Sequence, residues 1–376
     1  MSKYKIFLSQ PTITSEDWQF INSIQTQFSD NIANSLIINF ENLLSQRLNN
    51  RNVVALNSGT SSLHLGLINS GLKRNDKVLV PTITFAASAF PLNYIGATAV
   101  FIDIDESNWN IDISLLEKYL KTCNSKNKPK AIISVDLFGS TCDYNELIRV
   151  CSEFDLMLII DSAESLGTLY RGLPTTSFGK FSVLSFNNNK ILTTTGGGAL
   201  ITDDFELAAK VRKNANQSRE NFHWYEHTEV GYNFRLSPIL AGLGISQLSR
   251  LDTSISHRRK IRLRYASNLN GYKGISVKTD SEWEISNAWL STVRFSQKLY
   301  PGARDIVFKC LAENGIESRY VWKPLHQQPI YAKNDSILTG NANVIFNESL
   351  CLPSSEILRE DQIDMICNLI INELKI

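Results

Sequence analysis

Short apolar runs alternate with segments of helical periodicity between residues 53 and 202, and this alternation limits the possible folds more than any other feature of the chain. Near-continuous apolar runs spaced by helices are typical of a parallel sheet covered on both faces. We therefore predict an α/β fold whose large domain contains a mostly parallel, seven-stranded sheet. The seven runs are residues 53–56, 78–80, 99–102, 131–135, 156–160, 181–186 and 199–201.

The pattern changes after residue 205. Apolar periodicity predicts helices over residues 205–217 and 236–251. An aromatic and polar stretch at residues 221–227 separates them and is expected to form an ordered loop. The basic run at residues 257–264 continues the second helix, and its charges are expected on the solvated face of a long connecting helix.

Mixed strand and helix patterns begin near residue 270, and the chain ends in a predicted helix over residues 360–374. Neither an internal repeat nor a low-complexity segment interrupts this part of the sequence. The change in pattern predicts a large domain of residues 1–250 and a smaller α+β domain of residues 251–376.

The composition argues against several classes of protein. With 43% hydrophobic residues, 20% charged residues and a net charge of +1, the chain has no overall field that favours nucleic acid or anionic membranes. No apolar run approaches the ~20 residues of a membrane span, and the N-terminus lacks the apolar region of a signal peptide. Six scattered cysteines without a C-x-x-C pair indicate reduced thiols, so we expect a cytoplasmic protein without a metal site.

The stretch Asn-Ser-Gly-Thr-Ser at residues 57–61 follows the first apolar run and opens a helical pattern. A small polar loop that leads into a helix can bind an anion, because free backbone N–H groups and the helix dipole meet there. The more frequent interpretation of such a loop is an ordinary helix cap by Ser58 or Thr60. No G-x-G-x-x-G or Walker motif occurs, which disfavours a dinucleotide site.

One lysine lies between an apolar run and three consecutive glycines, in Ser185-Phe-Asn-Asn-Asn-Lys190-Ile-Leu-Thr-Thr-Thr-Gly-Gly-Gly198. Asp161 ends another apolar run, and ligands of such sheets bind beyond the carboxyl ends of the strands. A lysine for a Schiff base, a serine for a phosphate and an acid for a ring nitrogen are the parts of a pyridoxal phosphate site. Phe85 could lie on the cofactor ring, although a lone aromatic residue is more often part of the core.

At these residues the sequence resembles the DegT-type family of pyridoxal phosphate-dependent nucleotide-sugar aminotransferases, which have the aspartate-aminotransferase fold (fold type I). The resemblance extends over nearly the whole chain. Its motifs are LNSGTSSLHL, PTITFAASAFPLNYIGATAVFIDID, DSAESLG, FSVLSFNNNKILTTTGGGALIT, GYNFRLSPILAGLG, SRYVWKPLHQQPIY and CLPS. Within the family it is most similar to the branch that aminates C4 of UDP-2-acetamido-2,6-dideoxy-4-ketohexose, on the route to bacillosamine.

The resemblance implies a role for each matching residue. Lys190 and Asp161 are implied as the catalytic pair: Lys190 as the Schiff-base lysine that moves the proton, and Asp161 as the partner of the pyridine nitrogen. Cofactor contacts are implied for Thr60, Ser61 and Ser185 at the phosphate, Phe85 on the ring, and Asn233 from a second subunit, so the active unit is expected to be a homodimer. The amino donor, glutamate, is expected at Arg235, and the nucleotide-sugar near Trp322, Lys323 and His326.

Glu164 departs from the family pattern, because many members carry Gln or His at this position. Its side chain is expected near the phenolic oxygen of the cofactor, where two negative charges repel each other. Our hypothesis is that Glu164 is protonated there or turned toward the substrate. The narrower branch also has Glu, so the change need not cost activity.

Other functions remain open on the sequence. The substrate could be another keto-sugar, linked to UDP, dTDP or GDP and aminated at C3 or C4, or the reaction could be a dehydration. Relatives that dehydrate sugars carry histidine in place of the lysine, whereas Lys190 is present here. A regulator that binds the cofactor or a nucleotide-sugar without catalysis is the alternative from another class of function, and the presence of Asp161, Ser185 and Lys190 argues against it.

Overall fold

A computed structural model describes residues 4–25, 29–49, 51–124 and 127–376. Twelve α-helices and fifteen strands lie in these ranges. The helices are α1 Ser15–Gln25, α2 Asp30–Arg47, α3 Gly59–Asn69, α4 Phe90–Tyr94, α5 Ile113–Leu120, α6 Tyr144–Glu153, α7 Phe205–Ala215, α8 Pro238–Leu248, α9 Leu251–Leu269, α10 Ala303–Glu313, α11 Asn341–Glu348 and α12 Glu360–Leu374.

The strands form three sheets. They are β1 Asn52–Leu56, β2 Lys77–Pro81, β3 Thr98–Ile102, β4 Ala131–Val135, β5 Met157–Asp161, β6 Leu169–Tyr170, β7 Leu173–Pro174, β8 Phe181–Ser185, β9 Gly198–Thr202, β10 Ile275–Val277, β11 Glu284–Ile285, β12 Ser291–Phe295, β13 Arg319–Tyr320, β14 Ser336–Ile337 and β15 Ser349–Leu352. The central sheet has the order β1-β9-β8-β5-β4-β2-β3-β14, and a four-stranded sheet has the order β10-β12-β15-β13. The third sheet joins β11, β6 and β7.

The seven predicted apolar runs become seven strands of the central sheet, which confirms the mostly parallel α/β fold. Only β9 runs antiparallel to its two neighbours, β1 and β8. The sheet differs from the prediction by an eighth strand, β14, which pairs with β3 at the edge through Ser336 and Ile337. This two-residue strand covers the unpaired backbone groups of the edge and has no apolar pattern of its own, so the sequence did not reveal it.

Helices cover both faces of the central sheet, because successive residues of each strand point to opposite sides. On β4, Ala131 and Ile133 face the apolar cluster that α3, α4 and α7 complete, whereas Ile132 faces α5 and α6. Near β1 and β9, helices α2 and α8 cover the other face of the central sheet. The near-continuous apolar runs of the sequence are explained by this burial on both sides.

The four-stranded sheet packs on α9, α10 and α12 around a separate apolar cluster. The predicted long helix is broken, because α8 ends at Leu248 and α9 begins at Leu251. The expectation of a solvated basic face on this helix was wrong for Arg258 and Arg262, which are buried. Each has a polar partner that permits burial: the carbonyl of Trp289 for Arg258 and the carboxylate of Asp280 for Arg262.

Two segments cross the predicted domain boundary at residues 250 and 251. Ile6 pairs with Ile316 and packs against the C-terminal apolar cluster, and β14 joins the large sheet. The boundary itself stays a prediction. Within the described ranges, the helices are all too short or too polar to cross a bilayer, and we find no group of His, Cys, Asp or Glu side chains that could hold a metal ion there.

Candidate active site

One cavity of about 260 Å³ opens at the carboxyl ends of β2, β5 and β8. Parallel strands bring the residues that follow them to a common edge, and this edge is the usual ligand site of such sheets. Seven of the residues predicted from the sequence line it: Thr60, Phe85, Asp161, Glu164, Ser185, Lys190 and Trp322. The structure therefore brings together parts of the chain that are separated by up to 262 positions, from Thr60 to Trp322.

The first turn of α3 forms one wall of the cavity. Ser58 caps the helix, because its Oγ accepts the N–H of Ser61 at 3.0 Å, and its hydroxyl donates to Oγ of Ser61 at 2.9 Å. The opening N–H groups of a helix have no intrahelical acceptor, and those of Gly59 and Thr60 belong to residues that line the cavity. This wall fits an anionic phosphate, and Ser58 is also the ordinary cap that the sequence suggested.

Gly198 permits the start of α3 to pack against the central sheet. A Cβ atom at this position would lie 2.4 Å from the backbone N of Gly59 and 2.7 Å from the carbonyl oxygen of Leu184. A neighbouring Cβ at Gly196 would meet no atom within 4 Å. A residue without a side chain is therefore required at Gly198, and the close packing there brings the helix terminus beside Ser185.

Asp161 ends β5 and is buried at the base of the cavity. Its Oδ2 accepts the hydroxyl of Ser88 at 2.7 Å, and its Oδ1 accepts the N–H of Ala163 at 3.2 Å. Burial raises the pKa of this carboxyl, whereas the two hydrogen bonds and the charge of Lys190 lower it. A buried carboxylate needs a cationic partner, which a protonated pyridine nitrogen would provide.

Lys190 places its amine inside the cavity, with its side chain 12% exposed. Nζ lies 3.7 Å from Oε1 of Glu164 and 3.9 Å from the ring centroid of Trp289. Burial lowers the pKa of Lys190, whereas the carboxylates of Glu164 and Asp161 raise it. A lysine that must act as a nucleophile needs an accessible neutral amine, and desolvation of this kind favours one.

Glu164 is buried beside the lysine, and its Oε2 accepts the N–H of Phe138 at 2.7 Å. Phe138 adopts the left-handed conformation, with φ 55° and ψ 22°, which is unusual for a bulky residue and orients this N–H. Burial raises the pKa of Glu164, whereas Lys190 and the N–H of Phe138 lower it. The hypothesis that Glu164 is protonated or turned toward the substrate stays a prediction.

The other five predicted residues lie outside the cavity lining. Asn233 and Arg235 are exposed, and the guanidinium of Arg235 donates to Oδ1 of Asn34 at 3.1 Å. Lys323 is exposed, and Nδ1 of His326 lies 2.6 Å from Oγ1 of Thr82, where burial lowers the pKa of the imidazole. Ser61 is held by Ser58. The roles implied for these five residues stay predictions.

Three residues that contact Asp161, Lys190 or Glu164 were not predicted from the sequence. Ser88 hydrogen-bonds to Asp161, Trp289 contacts Lys190, and Phe138 hydrogen-bonds to Glu164. Ser88 lies within a motif that the family resemblance covers, so its position could have been noticed. Trp289 and Phe138 have no local pattern that distinguishes them from core aromatic residues.

The residues of the cavity fit pyridoxal phosphate. The start of α3 and the hydroxyl of Ser185 are suited to the phosphate, Asp161 to the pyridine nitrogen, and Lys190 to the aldehyde. All four groups are at one strand-end edge, and the cavity, at about 260 Å³, is slightly smaller than the ~300–1,000 Å³ of small-molecule sites.

Comparison with known proteins points to one family. The model of the DegT/DnrJ/EryC1/StrS aminotransferase family matches residues 19–371. The chain is 37% identical over 366 residues to EpsN of Bacillus subtilis (strain 168), which is named as a candidate pyridoxal phosphate-dependent aminotransferase. The match covers 95% of this chain and 93% of EpsN. It is 30% identical over 360 residues to GDP-perosamine synthase of Escherichia coli O157:H7, covering 95% of each chain.

A solved structure has the same fold over nearly its full length. Helicobacter pylori PseC, an aminotransferase involved in the biosynthesis of pseudoaminic acid, superposes with a TM-score of 0.89 at 26% identity, covering 98% of this chain and 99% of PseC. The family match, the fold and the lysine–aspartate cavity agree with one another. The chain therefore belongs to the DegT/DnrJ/EryC1/StrS aminotransferase family and is a pyridoxal phosphate-dependent sugar aminotransferase.

Proposed function

We propose that this protein transfers the amino group of L-glutamate to C4 of a UDP-linked 4-keto-6-deoxy-N-acetylhexosamine. The product would serve the synthesis of a bacterial surface glycan or glycoprotein sugar in the cytoplasm. The observation that carries the proposal is the shared cavity of Lys190 and Asp161, a largely buried amine and a buried carboxylate at one sheet edge. The choice of a UDP-linked C4 ketone is supported by the sequence resemblance to that branch of the family.

The residues of the cavity have distinct tasks in this proposal. Pyridoxal phosphate, when bound, supplies an electron sink for the negative charge that develops at the reacting carbon. Asp161 would keep a positive charge on the ring nitrogen by ion pairing, and the hydroxyl of Ser88 orients Asp161 and favours its ionised form. Lys190 takes a proton from the donor carbon and returns one to the sugar carbon. The start of α3, with Ser61 held through Ser58, and Ser185 anchor the phosphate.

An aromatic wall at the mouth of the cavity suits the sugar nucleotide. Phe85 is 56% exposed, and its ring centroid lies 5.4 Å from that of Trp322. We propose that Phe85 lies on the cofactor ring and that the half-buried ring of Trp322 beside it packs on the apolar face of a sugar or on a base. The segment that carries Lys323 and His326 adjoins the loop after β2, because the N–H of Leu325 donates to the carbonyl of Thr82. We assign Trp322, Lys323 and His326 to the nucleotide-sugar on this ground.

A homodimer completes the proposed site. Asn233 and Arg235 are exposed at the end of a loop whose neighbours Trp224, Tyr225 and Val230 are also exposed. Exposed aromatic and aliphatic side chains of this kind are enriched in protein interfaces. We propose that this face meets a second copy, that Asn233 of the partner subunit completes the phosphate site, and that Arg235 binds the carboxylate of glutamate.

A GDP-linked 4-keto sugar is the second candidate substrate. It is favoured by the 30% identity to a GDP-perosamine synthase over 95% of the chain. The alternative of a regulator without catalysis is disfavoured, because the catalytic lysine and aspartate lie together in an accessible cavity rather than being separated or blocked.

A substrate panel tests the proposed reaction. Purified protein is given glutamate and one of several UDP-, dTDP- or GDP-linked 3-keto or 4-keto sugars, and 2-oxoglutarate is measured together with the NMR spectrum of the product. We expect 2-oxoglutarate and a 4-amino sugar with the UDP-linked substrate, and neither product from the matched Lys190→Ala variant. Turnover with GDP-linked sugar alone would select the second candidate, and absence of 2-oxoglutarate with every sugar would contradict the enzyme assignment.

A further inference from the structure

The amine of Lys190 lies between two groups of different character. Nζ is 3.9 Å from the ring centroid of Trp289, well within the ~6 Å limit of a cation–π contact. It is 3.7 Å from Oε1 of Glu164, which exceeds the ~2.7–2.9 Å of a charge-assisted hydrogen bond. The indole face therefore holds the amine in contact, whereas the carboxylate attracts it across a gap.

Three hydrogen bonds fix the orientation of Trp289, which is buried. Its Nε1–H donates to the carbonyl of Asn189 at 2.8 Å, and its backbone N–H donates to Oδ1 of Asn287 at 2.9 Å. Its own carbonyl accepts Nη1 of Arg258 at 2.7 Å. A tryptophan held at its ring and at both of its backbone groups presents a fixed face to the cavity.

Trp289 contacts both the amine of Lys190 and the backbone of the residue before it. Asn189, whose carbonyl accepts the indole N–H, directly precedes Lys190, and the same carbonyl also accepts the hydroxyl of Ser9 at 2.7 Å. Trp289 thus fixes the backbone next to Lys190 and also contacts the amine at the end of the lysine side chain. A residue that serves only the core would not need both contacts.

We propose that Trp289 is a positioning residue, which holds the protonated amine of Lys190 near the reacting carbon whenever that amine is not bonded to the cofactor. This inference rests on the proposed role of Lys190. An ammonium group is attracted to an indole face, and loss of its proton removes that attraction. The contact is weaker than a close salt bridge with Glu164 would be, so the amine can leave it when the proton is transferred.

The charged groups around the amine act in different directions. Glu164 and Asp161 favour the protonated amine, and burial opposes it. Arg258 lies behind Trp289 and reaches its carbonyl rather than its ring. Removal of the indole face leaves these groups in place, so its effect on the protonation of Lys190 can be measured separately.

The test follows the uptake of added pyridoxal phosphate by the full chain after removal of the cofactor, read as visible absorbance at a series of pH values. Only the neutral amine attacks an aldehyde, so the midpoint of the rate profile reports the protonation of Lys190. In Trp289→Leu we expect the midpoint to move down by about 0.4–1.5 pH units, which is the strength of a cation–π attraction expressed as a pKa change. Uptake below the midpoint should accordingly be about 3- to 30-fold faster.

Three variants serve as controls. Trp289→Phe keeps a smaller aromatic face, so we expect its midpoint to move down by less than that of Trp289→Leu. If Trp289→Leu does not fold, the midpoint of Trp289→Phe tests the positioning role instead. Ser9→Ala removes the other donor to the Asn189 carbonyl and one acceptor of Arg258 but keeps the indole, so its midpoint should stay unchanged. Lys190→Ala gives the background from other lysines.

The outcomes separate this inference from the proposed role of Lys190. If Lys190→Ala takes up the cofactor like the unaltered chain, the proposed role of Lys190 is wrong. If Lys190→Ala is inert and the folded Trp289 variants have an unchanged midpoint, only the positioning role is overturned. A uniform slowing of uptake at every pH, without a shift in the midpoint, also overturns it, because a purely structural role would give that result.

Discussion

Replacement of Gly198 by alanine should damage the cofactor site through the backbone. The added Cβ would lie 2.4 Å from both the N of Gly59 and the carbonyl carbon of Ser58, and 2.7 Å from the carbonyl oxygen of Leu184. All three contacts are with backbone atoms, which cannot rotate away as a side chain can. Overpacking in a well-packed region costs about 1–3 kcal/mol, and we expect the upper end of that range or more.

The same displacement should weaken cofactor binding, because the start of α3 must move away from β9 and from Ser185. A shift of the helix terminus separates the N–H groups that face the phosphate, so we expect the Kd for pyridoxal phosphate to rise by at least about 10-fold, or ~1.4 kcal/mol. Urea unfolding of the cofactor-free chain measures the stability, and titration with the cofactor measures the Kd.

Gly196→Ala is the matched control for stability. Its Cβ would meet no protein atom within 4 Å, so we expect a change within ~0.5 kcal/mol in the cofactor-free chain. If Gly198→Ala unfolds at the same urea concentration as Gly196→Ala and binds the cofactor with unaltered Kd, the close packing of α3 on β9 does not form the phosphate wall.

Further predictions concern the catalytic groups and the dimer. Asp161→Asn should fold but lose about 10²–10⁴-fold in turnover, measured as 2-oxoglutarate, because a neutral amide cannot hold a positive charge on the ring nitrogen; near-normal turnover would contradict its role. Ser88→Ala removes a hydrogen bond that lowers the pKa of Asp161, so this pKa should rise. The acid limb of the pH–rate profile should therefore move to higher pH by about 1–2 units. An acid limb that stays in place or moves to lower pH would contradict the role of Ser88. Lys190→Ala and Asn233→Ala chains, mixed in equal amounts and allowed to reassociate, should recover about one quarter of the normal activity. Half of the dimers are then hybrids, and each hybrid has one intact site. If ultracentrifugation confirms dimers but no activity returns, Asn233 does not belong to the partner's site.

Much of the fold could be predicted because its causes are local. Each strand of the central sheet is buried on both faces and therefore reads as an apolar run, and the C-terminal helix α12 keeps its apolar periodicity over the predicted range. The strand β14 could not be predicted, because a two-residue edge strand is determined by its partner β3. The burial of Arg258 also depends on distant partners, since its acceptors come from Trp289 and Ser9.

The active site also has some parts that the local sequence predicts and others that depend on distant contacts. Asp161 and Ser185 end strands β5 and β8, and Lys190 follows shortly after β8, so strand order brings all three to one edge. Trp289 approaches Lys190 only because Ala288 takes a left-handed conformation, with φ 52°, and because Asn287 and Arg258 hold the backbone on either side. No short stretch of sequence encodes that arrangement. Asn233 and Arg235 are exposed in the single chain, as expected for residues whose proposed function needs a second subunit.

The most direct test of the central claim is the site of covalent attachment of the cofactor. The protein is loaded with pyridoxal phosphate, the bond is fixed with borohydride, and the digested peptides are examined by mass spectrometry. We predict one modified peptide, with the added mass on Lys190, and its disappearance in Lys190→Ala. Attachment to a different lysine, or an unmodified Lys190 in a fully loaded protein, would contradict the account.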